Sequence, residues 1–372
     1  MPLAARQIVS TLSQDARLTV EIARIDLPDP GPAEVIVAIE AAPVNPSDIG
    51  GLLGPADPAN AEYTSGRMTA DMPAPAMKML AGRIGQPTPI GIEGAGTVVA
   101  AGSDPAAQAL MGRKVSCWPG TATFASHVAV PAQACIALPG DADMANASAA
   151  FVNPMTALGF IGTMKRQGHS AIVHTASASN LGQMLNRVCQ EDGIPIVNIV
   201  RKPEQVDLLK AMGAEIVLDS NDGDFLPQLI DAIADADAFC GFDAIGGGEM
   251  AGTILMAMEQ AANRKGGYSR YGSDQRKHVY IYGRLDTSPV LLPATIGFSW
   301  DLSAWLLFPY LQDVGEKSAQ AMRERVIAGI DSTFSSKFTD RITLDQLLGR
   351  DVLTAINAKA TGQKYLITPA AG

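Results

Sequence analysis

Ala171-Ile172-Val173-His174-Thr175-Ala176-Ser177-Ala178-Ser179-Asn180-Leu181-Gly182 is the stretch that decides the fold. Its first half is an apolar run of strand composition, and its second half is a short polar loop. Gln183-Met184-Leu185-Asn186-Arg187-Val188-Cys189 follows with apolar residues at helical spacing, and a second apolar run, Pro195-Ile196-Val197-Asn198-Ile199-Val200, leads into Arg201-Lys202. Strand, tight turn, helix, strand is the first half of a dinucleotide-binding unit. A helix N-terminus offers unpaired N–H groups and a positive dipole end to a pyrophosphate, so Ser177, Ala178, Ser179, Asn180 and Leu181 are the expected phosphate loop. Only one glycine, Gly182, remains of the usual glycine-rich turn, but small hydroxyl and amide residues can also line such a loop. An acidic residue after the second strand would bind the ribose of NAD; Arg201 and Lys202 suit the 2′-phosphate of NADP. The competing reading is an ordinary strand–helix–strand of another α/β enzyme.

Toward the C-terminus, helical segments alternate with short apolar strands at Glu215–Leu218, Ala238–Phe242 and Val279–Tyr282, the pattern of a parallel α/β sheet. Ligands sit at the carboxyl ends of such strands, which brings in Ile245 and Gly246, in a glycine cluster, and Tyr282 and Gly283 as further cofactor-binding residues. Trp300–Leu311 reads as a helix, Lys317–Ile330 has helical periodicity, and Lys364–Pro369 reads as a final edge strand. Toward the N-terminus the chain is β-rich. Runs at Ala33–Glu40, Gly94–Gly102, Gly112–Cys117 and Ser126–Val130 are punctuated by Gly and Pro, as in a small barrel or sandwich. Leu53–Pro89 interrupts them and reads as a long irregular excursion with one short helix over Ala76–Arg83.

The 372 residues accommodate two domains, and 47% hydrophobic against 18% charged residues predicts a sizeable core. A net charge of −10 argues against a nucleic-acid or anionic-membrane surface, so an anionic cofactor must be held by local cations. The four cysteines, 117, 135, 189 and 240, form no C-x-x-C pair, which argues against a zinc ribbon or a disulfide framework. No leader pattern and no membrane-spanning apolar run is visible, so the expected compartment is the cytoplasm.

The order of these parts resembles the medium-chain dehydrogenase/reductase superfamily over nearly the whole chain, and in particular its zinc-free quinone oxidoreductase and enoyl reductase branch. Asn45-Pro46-Ser47-Asp48 is similar to that branch's N-P-x-D turn, Gly91-Ile92-Glu93-Gly94-Ala95-Gly96 to its G-x-E-x-x-G strand entry, Asn153-Pro154-Met155-Thr156-Ala157 to its N-x-x-T-A helix start, and Met212-Gly213-Ala214-Glu215 to its L-G-A-D/E. The resemblance implies a GroES-like β-rich catalytic domain (residues 1–152, with a return over 296–372) and a Rossmann domain with a doubly wound parallel sheet (153–295). Zinc members would carry a ligand where Ser47 stands, a His/Glu pair near Gly91–Glu93 and a four-cysteine lobe. None is present, and a lone Glu93 reads as a carboxylate satisfied by backbone N–H groups.

The resemblance further implies hydride transfer from NADPH to a quinone or a conjugated enone, without metal. Asn45 is the first candidate to orient the substrate or the nicotinamide ribose, with Asp48 holding the turn; Asn153 and Thr156 are expected near the nicotinamide. The branch often carries a Tyr shortly after N-P-x-D; here Tyr63, inside the insertion, is the nearest candidate proton donor. Two alternatives stand beside this. One is an enoyl-thioester reductase, with Arg67, Lys78 and Arg83 serving an acidic carrier. The other is a non-catalytic NADPH-binding protein. A homodimer is also implied, and the apolar run Val290–Phe298 would supply its edge strand unless it packs under the Trp300–Leu311 helix.

Overall fold

The computed structural model describes residues 2–266 and 269–369. It divides into two compact units, Met1–Val152 with Arg325–Gly372, and Asn153–Glu324.

The first unit is built on β1 (Leu3–Leu12), β2 (Arg17–Leu27), β3 (Glu34–Pro43), β4 (Glu62–Thr64), β5 (Arg67–Asp71), β6 (Thr88–Pro89), β7 (Gly94–Ala101), β8 (Lys114–Cys117), β9 (His127–Pro131) and β10 (Cys135–Ala137), joined late in the chain by β19 (Asp340–Ile342) and β20 (Tyr365–Ile367). One sheet runs β4-β5-β2-β1-β6; the other runs β10-β8-β7-β3-β20-β19, with β9 also on β3. Val35, Val37 and Ile39 of β3 pack with Ile8, Leu12, Leu18 and Val20 in one core. Each such side chain removed from water contributes roughly 1.5–3 kcal/mol. The insertion departs from the expected irregular excursion. Arg67-Met68-Thr69-Ala70-Asp71 alternates so that Met68 and Ala70 enter that core, and β5 lies antiparallel to β2. Its helix is Ala74–Met79, followed by a single 3-10 turn, Ala81–Arg83.

The second unit carries β11 (Ile172–Thr175), β12 (Ile196–Val200), β13 (Ile216–Asp219), β14 (Cys240–Asp243), β15 (Gly246–Gly248), β16 (Lys277–Ile281), β17 (Asp286–Val290) and β18 (Trp300–Ala304). Its main sheet runs β13-β12-β11-β14-β16-β18, with every pairing parallel. Numbered within the sheet this is 3-2-1-4-5-6, the doubly wound dinucleotide-binding order, and it reverses between β11 and β14. All residues of β11, β12 and β14 are buried, as required when helices cover both faces.

Four expectations change near the C-terminus. Trp300–Ala304 is a strand rather than the start of a helix. It extends the parallel sheet beside β16, and the helix begins at Leu307. For the same reason the second compact unit continues to Glu324, beyond the expected return at residue 296. Val290–Phe298 is not the main sheet's edge strand: Val290 ends β17, which pairs with β15, Ile296 is buried in the core beside the helix Met250–Lys265 rather than under the expected Trp300–Leu311 helix, and Leu291, Leu292 and Phe298 are exposed. The final strand, β20, is not an edge; it lies between β3 and β19. Among the described residues no helix is long and apolar enough to cross a membrane.

Candidate functional site

The phosphate-loop residues lie at the carboxyl end of β11. Ser177 turns the chain: its Oγ donates to the carbonyl of His174 (2.7 Å) and its N–H to Ile199 (3.3 Å). Ser179 is the N-cap of the helix Asn180–Asp192, its Oγ accepting the N–H of Gly182 at 3.1 Å. Gly182 is the position that tolerates no side chain, because a Cβ there would lie 2.2 Å from the Ser177 carbonyl oxygen. The loop therefore reads Ser177-x-Ser179-x-x-Gly182, keeping the glycine needed for close helix–strand packing and replacing the other two by serines. Behind it, Asn186 and Asn198 exchange amide hydrogen bonds of 2.7 and 3.0 Å in full burial, fastening the helix to β12.

Arg201 and Lys202 follow β12 directly and are exposed. The Arg201 carbonyl accepts from Asn221 Nδ2 at 2.7 Å, which ties this corner to the end of β13. At the end of β14, one carboxylate organises the turn. Asp243 accepts from Thr175 Oγ1 (2.7 Å), Ile245 N (3.0 Å) and Gly246 N (3.0 Å). A Cβ on Gly283 would lie 2.4 Å from the Ala244 carbonyl oxygen, so the Ile245-Gly246 and Tyr282-Gly283 loops run against each other. Beside them a cavity of about 420 Å³ is lined by Ser220, Phe225, Ile245, Gly247, Gly248, Met250 and Thr253, with Glu249 and Asp286. Tyr282 shares a hydrogen bond with His174 Nε2 at 2.8 Å; burial pushes the phenol well up and drives the His174 imidazole down to about 3, so His174 is neutral. The Phe160 ring lies 4.8 Å from that of Tyr282 and 4.0 Å from that of Phe242. Thr156 is one turn earlier on the same helix, Val152–Arg166, and Asn153 lies in its first turn.

The first unit holds a separate polar cluster. Asn45, 1% exposed, donates from Nδ2 to Glu93 Oε1 at 2.8 Å and accepts at Oδ1 from Lys364 Nζ at 3.0 Å. Glu93 Oε2 accepts the N–H groups of Phe151 and Val152, each at 2.9 Å, as the backbone-satisfied reading of that carboxylate anticipated. Asp48 accepts from Asn45 N (2.8 Å) and Ile92 N (3.1 Å), holding the turn. Burial raises the Glu93 carboxyl, lifts Asp48 to about 7 and lowers the Lys364 ammonium. The Asn45 amide is thus turned into the protein at both ends. Tyr63 is elsewhere: its hydroxyl donates to the Pro58 carbonyl at 2.8 Å, and the Arg350 guanidinium covers its ring at 4.7 Å. Its proton is engaged within its own loop. Of the insertion's cations, Arg67 pairs with Glu21 at 3.1 Å and Arg83 turns inward to the Gly51 carbonyl; Lys78 is exposed.

Lys364, His174 and Asp243 escaped the sequence reading. Lys364 is separated from Asn45 by 319 positions, and no local pattern links them. The available signal was charge arithmetic: two acids, Asp48 and Glu93, in apolar surroundings call for a buried cation.

Among the described residues no group of three His, Cys, Asp or Glu could hold a metal ion. Comparison with known proteins matches residues 31–140 to the alcohol dehydrogenase GroES-like domain. The chain has the medium-chain dehydrogenase/reductase fold. A solved structure assigned as an NADPH:quinone reductase, from Mesorhizobium loti, superposes with a TM-score of 0.76 at 24% identity over 99% of both chains. The complex of Etr1p with NADP and crotonyl-CoA gives a TM-score of 0.70 at 18% identity, over 98% of this chain and all of that one. The mitochondrial enoyl-[acyl-carrier-protein] reductase of Bos taurus is 28% identical over 227 residues, 58% of this chain and 53% of the relative. The chain thus matches about half the length of such curated relatives.

Proposed function

We propose that this protein is a zinc-independent oxidoreductase that uses NADPH to reduce a quinone or a conjugated enone. The observation that carries the reading is the capped Ser177–Gly182 loop on a 13-residue helix, with Arg201-Lys202 at the end of the adjacent strand. The residues fit a dinucleotide. The Gly182 cradle leaves the loop backbone open to the pyrophosphate, the helix N-terminus supplies N–H donors, the cavity by Ser220 and Ile245 suits a flat adenine, and Arg201 and Lys202 meet the 2′-phosphate. NADPH, when bound, supplies the hydride. Asn153, Thr156, Tyr282 and Gly283 face the nicotinamide end, with the Phe160–Tyr282 rings as an apolar wall that excludes water. The Lys364–Asn45–Glu93 cluster fixes the turn at Asn45 as a positioning device rather than as a proton donor. A reduced quinone takes its protons from solvent and needs no side-chain acid, which suits a chain whose Tyr63 is engaged elsewhere. With no ligand-type residue at Ser47, Glu93 standing alone and no group of metal ligands among the described residues, polarisation by a metal has no support from the residues, so zinc independence belongs to the same proposal.

The names of the enoyl reductase relatives favour a second reading, reduction of an enoyl thioester. It is weakened here because two of the three cations expected to serve a carrier are already paired or turned inward.

One experiment separates these readings: NADPH oxidation against a quinone, an enone and an enoyl-thioester, with and without a chelator, in wild type and Arg201→Ala. Quinone or enone turnover that survives chelation is expected. Charge-assisted contacts contribute about 1.5–3 kcal/mol each, so Arg201→Ala should weaken NADPH at least tenfold and leave NADH almost unchanged. Turnover of the thioester alone favours the second reading; tight NADPH binding without turnover on any acceptor makes the protein a binder. Equal wild-type affinity for NADPH and NADH overturns the cofactor assignment.

A further inference from the structure

We infer that Cys117 and Cys135 form a reversible redox pair, a site of intrachain disulfide formation on the β8–β10 ladder. The two cysteines stand directly opposite each other in an antiparallel register, with Ser116 opposite Ile136 and Val115 opposite Ala137. The ladder's phase is set by its hydrogen bonds: Trp118 N–H to the Ala134 carbonyl (3.0 Å) and Leu138 N–H to the Lys114 carbonyl (2.9 Å). Hydrogen-bonded and non-hydrogen-bonded pairs alternate along an antiparallel ladder. Bonded pairs at 118/134 and 114/138 therefore leave 117/135 as a non-hydrogen-bonded pair. Such pairs bring Cα atoms to about 4.5 Å with both side chains on one face. A disulfide asks for Cα atoms roughly 4.4–6.8 Å apart, so the bond can close with little backbone movement. The other cysteines have no such neighbour in register: Cys240 lies between Ile172 and His278, and Cys189 is on a helix.

Access orders the chemistry. Cys135 is half-buried and Cys117 fully buried. Burial pushes both thiols up, Cys135 to about 12, so thiolate is scarce and oxidation of the pair is slow near neutral pH. The oxidant is a hydroperoxide. The Cys135 sulfur attacks the peroxide oxygen, the O–O bond breaks, and a sulfenic acid and water result. The Cys117 sulfur then displaces that hydroxyl, forming the S–S bond and releasing a second water. In total two thiols and one hydrogen peroxide give one disulfide and two waters, and a dithiol reductant restores the thiols. The closed ring contains Trp118, stacked on Phe151 with centroids 4.4 Å apart, and Thr123, whose hydroxyl donates to the Glu93 carbonyl at 2.8 Å. The cross-link would thus stiffen the segment that supports the Glu93 cluster.

The test exposes the whole protein to hydrogen peroxide, alkylates it after denaturation, and maps peptides without reductant. A Cys117–Cys135 cross-linked peptide is expected, lighter by two hydrogens, with Cys189 and Cys240 alkylated, and with dithiothreitol reversing it. Its formation should accelerate about tenfold per pH unit as thiolate becomes available. Cys135→Ala, at the half-buried position, should keep the melting curve and lose the cross-link, leaving Cys117 alkylated. Four alkylated thiols after peroxide treatment overturn the inference, as does Cys135 sulfinic acid with Cys117 still alkylated.

Discussion

At the scale of single residues, the cost of isolating a buried polar group explains more of this protein than any motif. Lys364, Asn45 and Glu93 form a chain in which each removes another's unmet demand: the ammonium fills Asn45 Oδ1, and the amide fills one oxygen of Glu93. Lys364→Met should therefore cost about 1–3 kcal/mol for the lost charge-assisted hydrogen bond to Asn45, and more if Glu93 stays ionised. Because the damage is a stranded charge and not lost packing, adding Glu93→Gln should restore part of the loss. A double-mutant cycle on melting temperature checks this; strictly additive losses would show that Lys364 and Glu93 do not act on each other. Asn45 and Glu93 were legible as family-like positions, but Lys364 was not. Its partners come from a turn and a strand entry hundreds of residues away, and sequence reasoning sees charge balance only when the members are near in the chain.

At the scale of elements, the phosphate loop shows what a local pattern can and cannot specify. The succession of strand, turn and helix from Ala171 to Asp192 was readable because its apolar periodicity changes at one place. The division of labour inside the turn was not, since it depends on which serine caps the helix. Ser179 does two separable things: its hydroxyl caps the helix, and its small size leaves the loop open. Ser179→Ala should lose only the cap, about 1 kcal/mol of stability, and keep NADPH affinity. Ser179→Leu should lose the same stability and also block the cofactor. Fluorescence titration beside thermal melting resolves the two. Unchanged NADPH binding by Ser179→Leu would place the pyrophosphate elsewhere. The insertion failed in the opposite direction: its Pro and Gly content hid the two-residue alternation of Arg67–Asp71, which makes it a strand of the sheet rather than a free loop.

At the scale of the molecule, two architectures read from composition and spacing, a β-rich unit and a parallel α/β sheet, are both present; what the sequence misplaced is the edge of the latter. Trp300-Asp301-Leu302-Ser303-Ala304 resembles a helix start because its apolar residues continue into Leu306 and Leu307, yet it pairs parallel to β16 as the sixth strand. That makes β18 an open edge. Beyond it in the chain Leu306 and Phe308 are exposed, and before it Leu291, Leu292 and Phe298 are exposed. An uncovered edge flanked by apolar side chains is an aggregation hazard unless another strand completes it. A two-fold axis would set β18 antiparallel to its own copy, extend the parallel sheet across the interface and cover the flanking side chains at once. Light scattering should accordingly give twice 38.8 kDa at micromolar concentration. Ala304→Pro, on the exposed part of that strand and with its N–H on the side away from β16 (the next residue, Trp305, donates to the Ile281 carbonyl), should shift the mass toward the monomer, because proline cannot donate to a ladder. A wild type that scatters as a monomer would mean that the edge is left open in solution and that the flanking apolar residues serve some other contact.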